Sequence, residues 1–198
     1  MLSLIKKRRS IRLFQDKTVE QEKIDQIIKA ALLSPSSKNN NPWKFIVVED
    51  KETLLKLSDS KENGSKFLAK APLTIVVMAD PEHSDVWIED ASIAATFMIL
   101  TAQDLGLGSC WIQIRKRNHS VNMSSEEFIK DLLGIPDNLR ILCLLAIGYP
   151  AEDKPEKTIA EVKLNDIFLN RYGKGMKLKT INKKFKKELS WILRKNLV

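Results

Sequence analysis

The chain has 198 residues, of which 43% are hydrophobic and 29% charged, a composition typical of a globular protein with one substantial core. Its net charge of +8 lies entirely in residues 174–198, which weakens any nucleic-acid function inferred from overall charge. No apolar run approaches the roughly 18 residues needed to span a bilayer. Lys6–Arg9 interrupt the apolar start after five residues, so we expect a cytoplasmic protein without a signal peptide.

The cysteines and histidines suggest neither a disulfide nor a metal site. Cys110 and Cys143 lie in apolar, strand-like contexts, where a free cysteine behaves as a small buried hydrophobic residue. His83 and His119 lie in polar, loop-like surroundings without partners at metal-ligand spacing. We therefore expect no bound metal.

The first informative element is the basic segment 7–14, which reads Lys-Arg-Arg-Ser-Ile-Arg-Leu-Phe. Guanidinium groups bind phosphate through a planar and often bidentate fork, and a hydroxyl or a backbone N–H can complete the shell. A solvated basic N-terminus would give the same composition. From these residues alone, the anion site and the solvated segment are equally good interpretations.

A helix is predicted next, followed by a polar loop. Thr18-Val-Glu-Gln21 has the form of a capping box, an amphipathic pattern follows it, and Ser34-Pro35 ends the helix. Residues 34–45 then read Ser-Pro-Ser-Ser-Lys-Asn-Asn-Asn-Pro-Trp-Lys-Phe. Ser and Asn suit turns for conformational reasons alone. The functional alternative is a loop whose hydroxyls and amides face a ligand, with Asn39 as the best candidate for contacting a heterocycle.

The rest of the chain alternates strand-like and helical patterns. Strands are predicted at 45–48, 74–78, 110–114 and 141–147, and helices at 51–57, 86–105, 124–133 and, in the basic tail, 180–197. A further short ordered segment is expected at 164–169. The class is therefore mixed α and β. A Rossmann dinucleotide site is not expected, because no Gly-x-Gly-x-x-Gly follows the first strand.

Four motifs in order resemble the nitroreductase family over roughly residues 3–170. They are Arg8-Arg-Ser-Ile-Arg12, Pro35-Ser-Ser-Lys-Asn39 with Pro42-Trp-Lys-Phe45, Leu105-Gly-Leu-Gly-Ser-Cys-Trp111, and Gly148-Tyr-Pro150. The resemblance implies a nitroreductase-like α+β fold, with a central mixed sheet flanked by helices in a domain-swapped homodimer. It also implies an FMN-dependent oxidoreductase.

The resemblance implies that residues near both ends of the matched region bind the FMN phosphate. Arg8, Arg9, Ser10 and Arg12 match the family's N-terminal segment, which contacts the phosphate, ribityl chain and pyrimidine end of FMN. Lys157 is the nearest match to the basic residue that follows Gly-Tyr-Pro in the family and completes the phosphate site.

Two further segments are implied to line the flavin. One is the loop that in many members reaches the flavin from the opposite subunit, and it corresponds here to Pro35, Ser36, Ser37 and Asn39. The other supplies backbone along the flavin, and it corresponds to Gly106, Leu107, Gly108 and Ser109. Glycines at 106 and 108 would let the backbone approach a planar ligand closely.

The implied activity is a two-step electron transfer. NADH or NADPH passes a hydride to flavin N5 and leaves, and a nitroaromatic, quinone or similar electron-poor acceptor then takes its place. The cofactor carries the chemistry, so no catalytic side chain is predicted. We expect residues 1–173 to form the FMN-binding domain and residues 174–198 a basic tail, without a membrane span and without nucleic acid as a partner.

Two alternatives remain open from the sequence. A protein of the same fold could catalyse another flavin reaction, such as dehalogenation or flavin fragmentation. Alternatively, the chain could be a flavin-binding module whose basic tail holds nucleic acid or an acidic membrane surface.

Overall fold

The structure is a computed structural model that describes residues 1–158, 161 and 166–175. It divides into two compact units, Met1–Glu156 and Lys157–Val198. The first unit contains five α-helices, two short 3-10 helices (Ser37–Asn39 and Lys66–Lys70) and six strands among its described residues. The helices are α1 (Leu2–Lys7), α2 (Gln21–Leu32), α3 (Lys51–Leu57), α4 (Trp87–Asp104) and α5 (Ser125–Leu133). The strands are β1 (Trp43–Val48), β2 (Leu73–Ala79), β3 (Gly108–Gln113), β4 (Asn118–Ser120), β5 (Met123–Ser124) and β6 (Arg140–Gly148).

Four of these strands form the central sheet, in the order β1-β2-β6-β3. All three pairings inside the sheet are antiparallel. A parallel bridge between Ser10 and Ser109 adds the N-terminal segment to the β3 edge. The mixed character expected of the sheet thus comes, among the described residues, from this bridge. The bridge is the first contact between two of the motifs found in the sequence.

Both faces of the sheet are covered, which gives three layers. Every residue of β2 is buried, and alternate residues along it face opposite sides, as the twofold repeat of a strand requires. Ile75 and Val77 pack in one cluster with buried residues of α2 and α4, whereas Val76 and Met78 pack in another with residues of α3 and α5. This double burial explains the continuous apolar runs from which the strands were predicted.

The central helix α4 ends in the way that the sequence predicted. Gly106 has a φ of +77° and donates its N–H to the carbonyl of Gln103 at 3.2 Å, and Leu107 N–H donates to Ala102 O at 2.8 Å. These two bonds form a Schellman motif, in which the left-handed position favours glycine. The helix therefore stops where the chain must enter β3. Its exposed residues include Ile93 and Phe97, so α4 also presents an apolar surface outside the core.

The predicted start of α2 is wrong. The helix begins at Gln21, with Glu20 rather than Thr18 at the N-cap position and no side-chain cap bond. Gln21 donates instead to Asp25, and the Glu20 carboxylate accepts a hydrogen bond from Tyr149, which lies 129 positions away. A long-range contact has replaced the local capping box. By contrast, Ser124 and Glu127 form a complete capping box at the start of α5.

In the second unit, a short hairpin-like turn is described. Phe168 and Gly175 form an antiparallel bridge, and the rings of Phe168 and Tyr172 lie 4.6 Å apart. The predicted helix at 180–197 and residues 164 and 165 of the predicted segment 164–169 lie outside the described residues. The domain boundary at 173/174 stays a prediction. Among the residues described, no helix has the length and apolar character needed to cross a membrane.

Candidate functional site

The N-terminal basic segment lies along the start of β3. The Ser10–Ser109 bridge fixes its position, and Ile11 N–H donates to Ser109 O at 3.0 Å. Gly108 makes this approach possible, because a Cβ built there would lie 2.8 Å from Cγ1 of Ile11. The predicted basic segment and the predicted glycine segment are therefore adjacent, although about 100 residues separate them in sequence.

The segment after β6 runs along the other side of the basic segment. Ala151 N–H donates to Leu13 O at 2.9 Å, and Phe14 forms an antiparallel bridge with Pro150. The carboxylate of Glu152 accepts bonds from the N–H groups of Arg12, at 2.5 Å, and Leu13, at 3.2 Å. The Arg12 N–H is the largest influence that lowers the pKa of Glu152. Three of the four sequence motifs thus meet in one place.

Lys154 adds a cation that the sequence prediction missed. Its ammonium group donates to Ser10 O at 2.6 Å and lies 3.1 Å from Glu152 Oε1. Lys154 is only three positions before Lys157 in an irregular charged stretch, so spacing alone could not show which lysine returns to the basic segment. A basic residue after Gly-Tyr-Pro was the available signal, and the structure brings Lys154 to this place.

The charges of Arg8, Arg12 and Lys154 converge on Cys110 of β3. Burial raises the pKa of the Cys110 thiol, and the positive charges of Arg12, Lys154 and Arg8 oppose that rise. Arg9 is engaged differently, because its guanidinium donates to Pro155 O. In the described part of the chain, the guanidinium groups of Arg8 and Arg12 form no ion pair. Three cations with one nearby carboxylate, Glu152, make a site suited to a dianion such as a phosphate monoester.

The segment 106–109 offers backbone rather than side chains. Leu107 and Ser109 are 1% and 4% exposed, and Gly106 owes its identity to the left-handed turn. Gly108 is required for packing against Ile11, and its predicted contact with the flavin stays a prediction. A Cβ at Gly106 would have nothing within 4 Å, so of these two glycines Gly106 is the one that borders open space.

The loop with Pro35, Ser36, Ser37 and Asn39 is held by α4. The Ser37 N–H donates to Asp90 Oδ1 at 2.8 Å, and the carboxylate of Asp90, 2% exposed, also accepts from Ser84 Oγ at 2.7 Å. Lys38, Asn39 and Asn41 have φ values of +51°, +57° and +48°. Such backbone is uncommon for a residue other than glycine and is often found at functional sites.

This loop is not joined to the basic segment within the chain. Over residues 1–158, no hydrogen bond or ion pair connects residues 35–41 with residues 8–12. Lys157 is exposed and belongs to the second unit, so its predicted place in the phosphate site stays a prediction. Within the first unit, the structure therefore assembles the 8–12, 106–109 and 149–155 segments, and leaves 35–39 outside that assembly.

A second polar network, which the sequence did not predict, joins Tyr149 to α2 and to the end of α4. Lys23 donates from Nζ to Tyr149 Oη at 2.7 Å and to Leu105 O at 3.2 Å, at the end of α4. Tyr149 in turn donates to Glu20 at 2.6 Å, which is the main reason that the pKa of Glu20 falls to about 2. The network ties the Gly-Tyr-Pro segment to the helix end that precedes Gly106.

Comparison with known proteins shows which class this fold and site define. The family model described as the nitroreductase family matches residues 5–64 and 53–149. A solved structure of an FMN-dependent nitroreductase from Clostridium difficile R20291 is 47% identical and has a TM-score of 0.86; the match covers 87% of this chain and all of that one. The chain therefore belongs to the nitroreductase family, whose members are oxidoreductases.

Relatives with curated names agree with this assignment. A protein of Archaeoglobus fulgidus, provisionally named NADH dehydrogenase/NAD(P)H nitroreductase, is 40% identical over 157 residues, which are 77% of this chain and 87% of the relative. The FMN reductase [NAD(P)H] of Bacillus subtilis is 30% identical over 187 residues, with 82% of this chain and 72% of the relative covered. Iodotyrosine deiodinases also match, at 26% identity for that of Hydra vulgaris. The predicted family, fold and enzyme class are confirmed.

Proposed function

We propose that the protein is an FMN-dependent oxidoreductase that uses NADH or NADPH to reduce nitroaromatic, quinone or similar electron-poor acceptors. The observation that carries the proposal is the bond from Lys154 to Ser10 O, which brings a third cation to the segment that carries Arg8 and Arg12. The predicted pairing of FMN with NAD(P)H is supported by the names of the Clostridium difficile structure and the Bacillus subtilis relative.

The donor set fits the phosphate of FMN. A phosphate monoester carries a charge of about −2 at neutral pH and accepts several charge-assisted hydrogen bonds. Arg8 and Arg12 would neutralise it, with the Ser10 hydroxyl as a further donor. Lys154 supplies a third positive charge at the same place, while the sequence-based candidate Lys157 awaits a direct test. The one carboxylate of the cluster, Glu152, is occupied by backbone N–H groups, which keeps it away from an incoming anion.

The remainder of the cofactor would lie along the backbone of residues 106–109, with Pro35, Ser36, Ser37 and Asn39 supplied by the partner subunit. When bound, FMN supplies the redox chemistry, receiving a hydride from the nicotinamide and delivering electrons to the acceptor. The chain's own part is to hold and orient the ring. A positive charge near the pyrimidine end of the ring would favour the anionic reduced form. Because the cofactor carries the chemistry, no side chain need act as acid or base.

The same arrangement supports the proposal of a homodimer. Loop 35–39 is anchored to α4 and, within residues 1–158, makes no bond to its own basic segment. We infer that the loop contributes to the site of the partner subunit. The α4 surface offers an apolar contact, since Ile93 and Phe97 are 36% and 37% exposed, and Leu32 and Leu33 at the end of α2 are also exposed. Obligate dimers bury about 2,000 Å² or more in such contacts. Sedimentation of the full chain would test this association.

The activity is tested by anaerobic reduction of the FMN-loaded protein. We expect NADH or NADPH to bleach the flavin, and a quinone or a nitroaromatic compound to restore its colour. A flavin that stays oxidised with both reductants would contradict the proposal. An iodinated phenol in place of the quinone examines the dehalogenase alternative, since release of iodide without quinone or nitroaromatic turnover would favour that reaction.

A further inference from the structure

A second concave basic site lies beside the turn that follows β3. It is a pocket of about 400 Å³, lined by Lys61, Glu62, Asn63, Lys116, Arg117 and Asn118. Two chain segments form its walls, and the bond from Glu62 N–H to Asn118 O, at 3.3 Å, joins them. His119 adds a contact of 2.7 Å between its Nδ1 and Asp59 O, and its ring stacks on Phe128. The walls are therefore fixed relative to each other.

The pocket holds more positive charge than its own residues neutralise. Lys61, Lys116 and Arg117 face a single acidic residue, Glu62, which is exposed. Over residues 1–158, none of the three cations forms an ion pair, and the Arg117 guanidinium donates only to the carbonyl of Lys116, at 2.9 Å. Burial and the neighbouring charge of Arg117 lower the pKa of Lys61. An anion in the pocket would remove this repulsion.

The backbone of the turn is also strained. Lys116 has a φ of +58°, a left-handed conformation that glycine or asparagine adopts more readily than lysine. Strain of this kind persists where the surrounding structure imposes it, often beside ligands. The left-handed backbone of Lys116 is a second observation, independent of charge, that favours a ligand at this turn.

The pocket and the proposed flavin site lie towards opposite ends of β3. The turn with Lys116 and Arg117 follows directly on β3, and the first residues of β3 are bonded to the basic segment. At about 3.3 Å per strand residue, the nine steps from Gly108 to Arg117 span at most about 30 Å. This span is the greatest distance that a dinucleotide lying over the flavin would have to bridge.

We propose that this pocket binds a phosphate group of the dinucleotide reductant, and that Arg117 and Lys116 are specificity-determining residues for it. The inference rests on the proposed function, in which NADH or NADPH must lie over the flavin. The phosphate of FMN has its own cluster at Arg8, Arg12 and Lys154, which leaves the second cluster for another anion. A phosphate offers several oxygens to the guanidinium fork and the two ammonium groups.

The test measures binding rather than turnover. The full-length protein, with FMN added, is titrated calorimetrically with the oxidised dinucleotides NADP⁺ and NAD⁺. Arg117→Gln and Lys116→Asn remove a charge each, and asparagine tolerates the left-handed backbone of position 116. We expect the dissociation constant of the dinucleotide to rise about tenfold to a hundredfold on loss of a charge-assisted contact. The matched control Lys70→Gln removes an exposed lysine outside the pocket and should change nothing.

The two dinucleotides distinguish the source of the phosphate. Weaker binding of NADP⁺ alone assigns the pocket to the 2′-phosphate, whereas equal weakening of both assigns it to the pyrophosphate, and either result supports the proposal. Unchanged dinucleotide affinity in both variants would overturn it. So would a wild type that binds neither dinucleotide, or an effect confined to FMN retention, which would place the pocket within the flavin site. Failure of the proposed function is separate and appears as absent flavin reduction despite normal dinucleotide binding.

Discussion

The ammonium group of Lys154 donates a hydrogen bond of 2.6 Å to the backbone carbonyl of Ser10, across 144 positions of sequence. The bond places a third cation against the segment that already carries Arg8 and Arg12. Because the same ammonium lies 3.1 Å from Glu152, it is held from two sides. A basic N-terminal run, which the sequence alone could explain as solvated charge, is thereby joined to a third cation from a distant part of the chain.

Lys154 should therefore matter for cofactor binding. We expect Lys154→Gln to weaken FMN binding by about tenfold or more, because one charge close to the phosphate is lost. The measurement is an FMN fluorescence titration of the apoprotein. Lys157→Gln is the matched comparison, and we expect it to weaken FMN binding less than Lys154→Gln does. A larger loss for Lys157→Gln would return the phosphate contact to the lysine that the family resemblance favours.

The contact between Gly108 and Ile11 should be intolerant of an added methyl group. Gly108→Ala places a Cβ 2.8 Å from Ile11 Cγ1, and overpacking of this kind costs about 1–3 kcal/mol of unfolding free energy. Urea unfolding would measure the loss. Ile11→Gly removes every atom of Ile11 that the new Cβ would meet, and it should partly rescue Gly108→Ala, so that the double variant is more stable than the sum of the single effects predicts.

Gly106→Ala provides the control for that pair. Its Cβ would meet nothing within 4 Å, but its φ of +77° strains any other residue by about 1 kcal/mol. We expect no rescue by Ile11→Gly in this case. Rescue of Gly106→Ala, or none of Gly108→Ala, would contradict the packing role assigned to Gly108.

Asp90 should control both stability and the position of loop 35–39. Asp90→Ala leaves the Ser37 N–H and the Ser84 hydroxyl without their buried acceptor, which should cost about 2–4 kcal/mol. If the loop reaches the flavin of the partner, FMN affinity should fall as well. Asp90→Asn, which keeps one acceptor, should lose less in both respects. Wild-type FMN affinity in a destabilised Asp90→Ala dimer would exclude a role of this loop at the cofactor.

The ion pair of Glu126 and Arg140 should make stability depend on pH. Burial alone would raise the pKa of Glu126, but two bonds of 2.8 Å from Arg140 and one from Ile141 N–H lower it overall. A carboxyl group with a lowered pKa stabilises the fold above its ordinary pKa of 4.5 and loses this contribution as the pH falls through the lower folded-state value.

Glu126→Gln tests this linkage. Because Arg140 is half exposed, we expect the variant to lose only about 1–2 kcal/mol at neutral pH. The difference from wild type should shrink as the pH falls well below the ordinary pKa of 4.5, where the wild-type carboxyl group becomes protonated. Urea unfolding of wild type and variant at neutral and at acidic pH measures this difference in stability, with the exposed Glu89→Gln as control. A difference that stays constant with pH would show that the ion pair does not provide this stability.

Local patterns sufficed to predict several elements. Helix α3 has the predicted bounds, and β2 and α4 lie within one residue of theirs, because burial on both sides or a glycine cap leaves a signal inside the element itself. The order of the strands was not predictable, since the pairing of β2 and β3 with β6 depends on contacts distant in sequence. Helix α1 was missed because none of its residues is buried.

The candidate site, like the fold, could be predicted from the sequence only in part. Arg8 and Arg12 could be recognised because guanidinium groups beside a hydroxyl have one favoured chemistry. Lys154 could not, since its contact with Ser10 is formed only when the segment after β6 folds back. The predicted capping box of Thr18 and Gln21 fails because the helix begins at Gln21, whose side chain donates to Asp25 instead.

The most direct measurement is the FMN content of the full-length protein after reconstitution and desalting, for wild type, Arg8→Glu and Arg12→Glu. We expect wild type to retain FMN stoichiometrically and both variants to lose it while keeping a wild-type circular dichroism spectrum. Lys44→Glu, an exposed charge reversal on the opposite edge strand of the sheet, should retain FMN. A wild type that binds no FMN, or arginine variants that keep all of it, would contradict the assignment of this cluster to the cofactor.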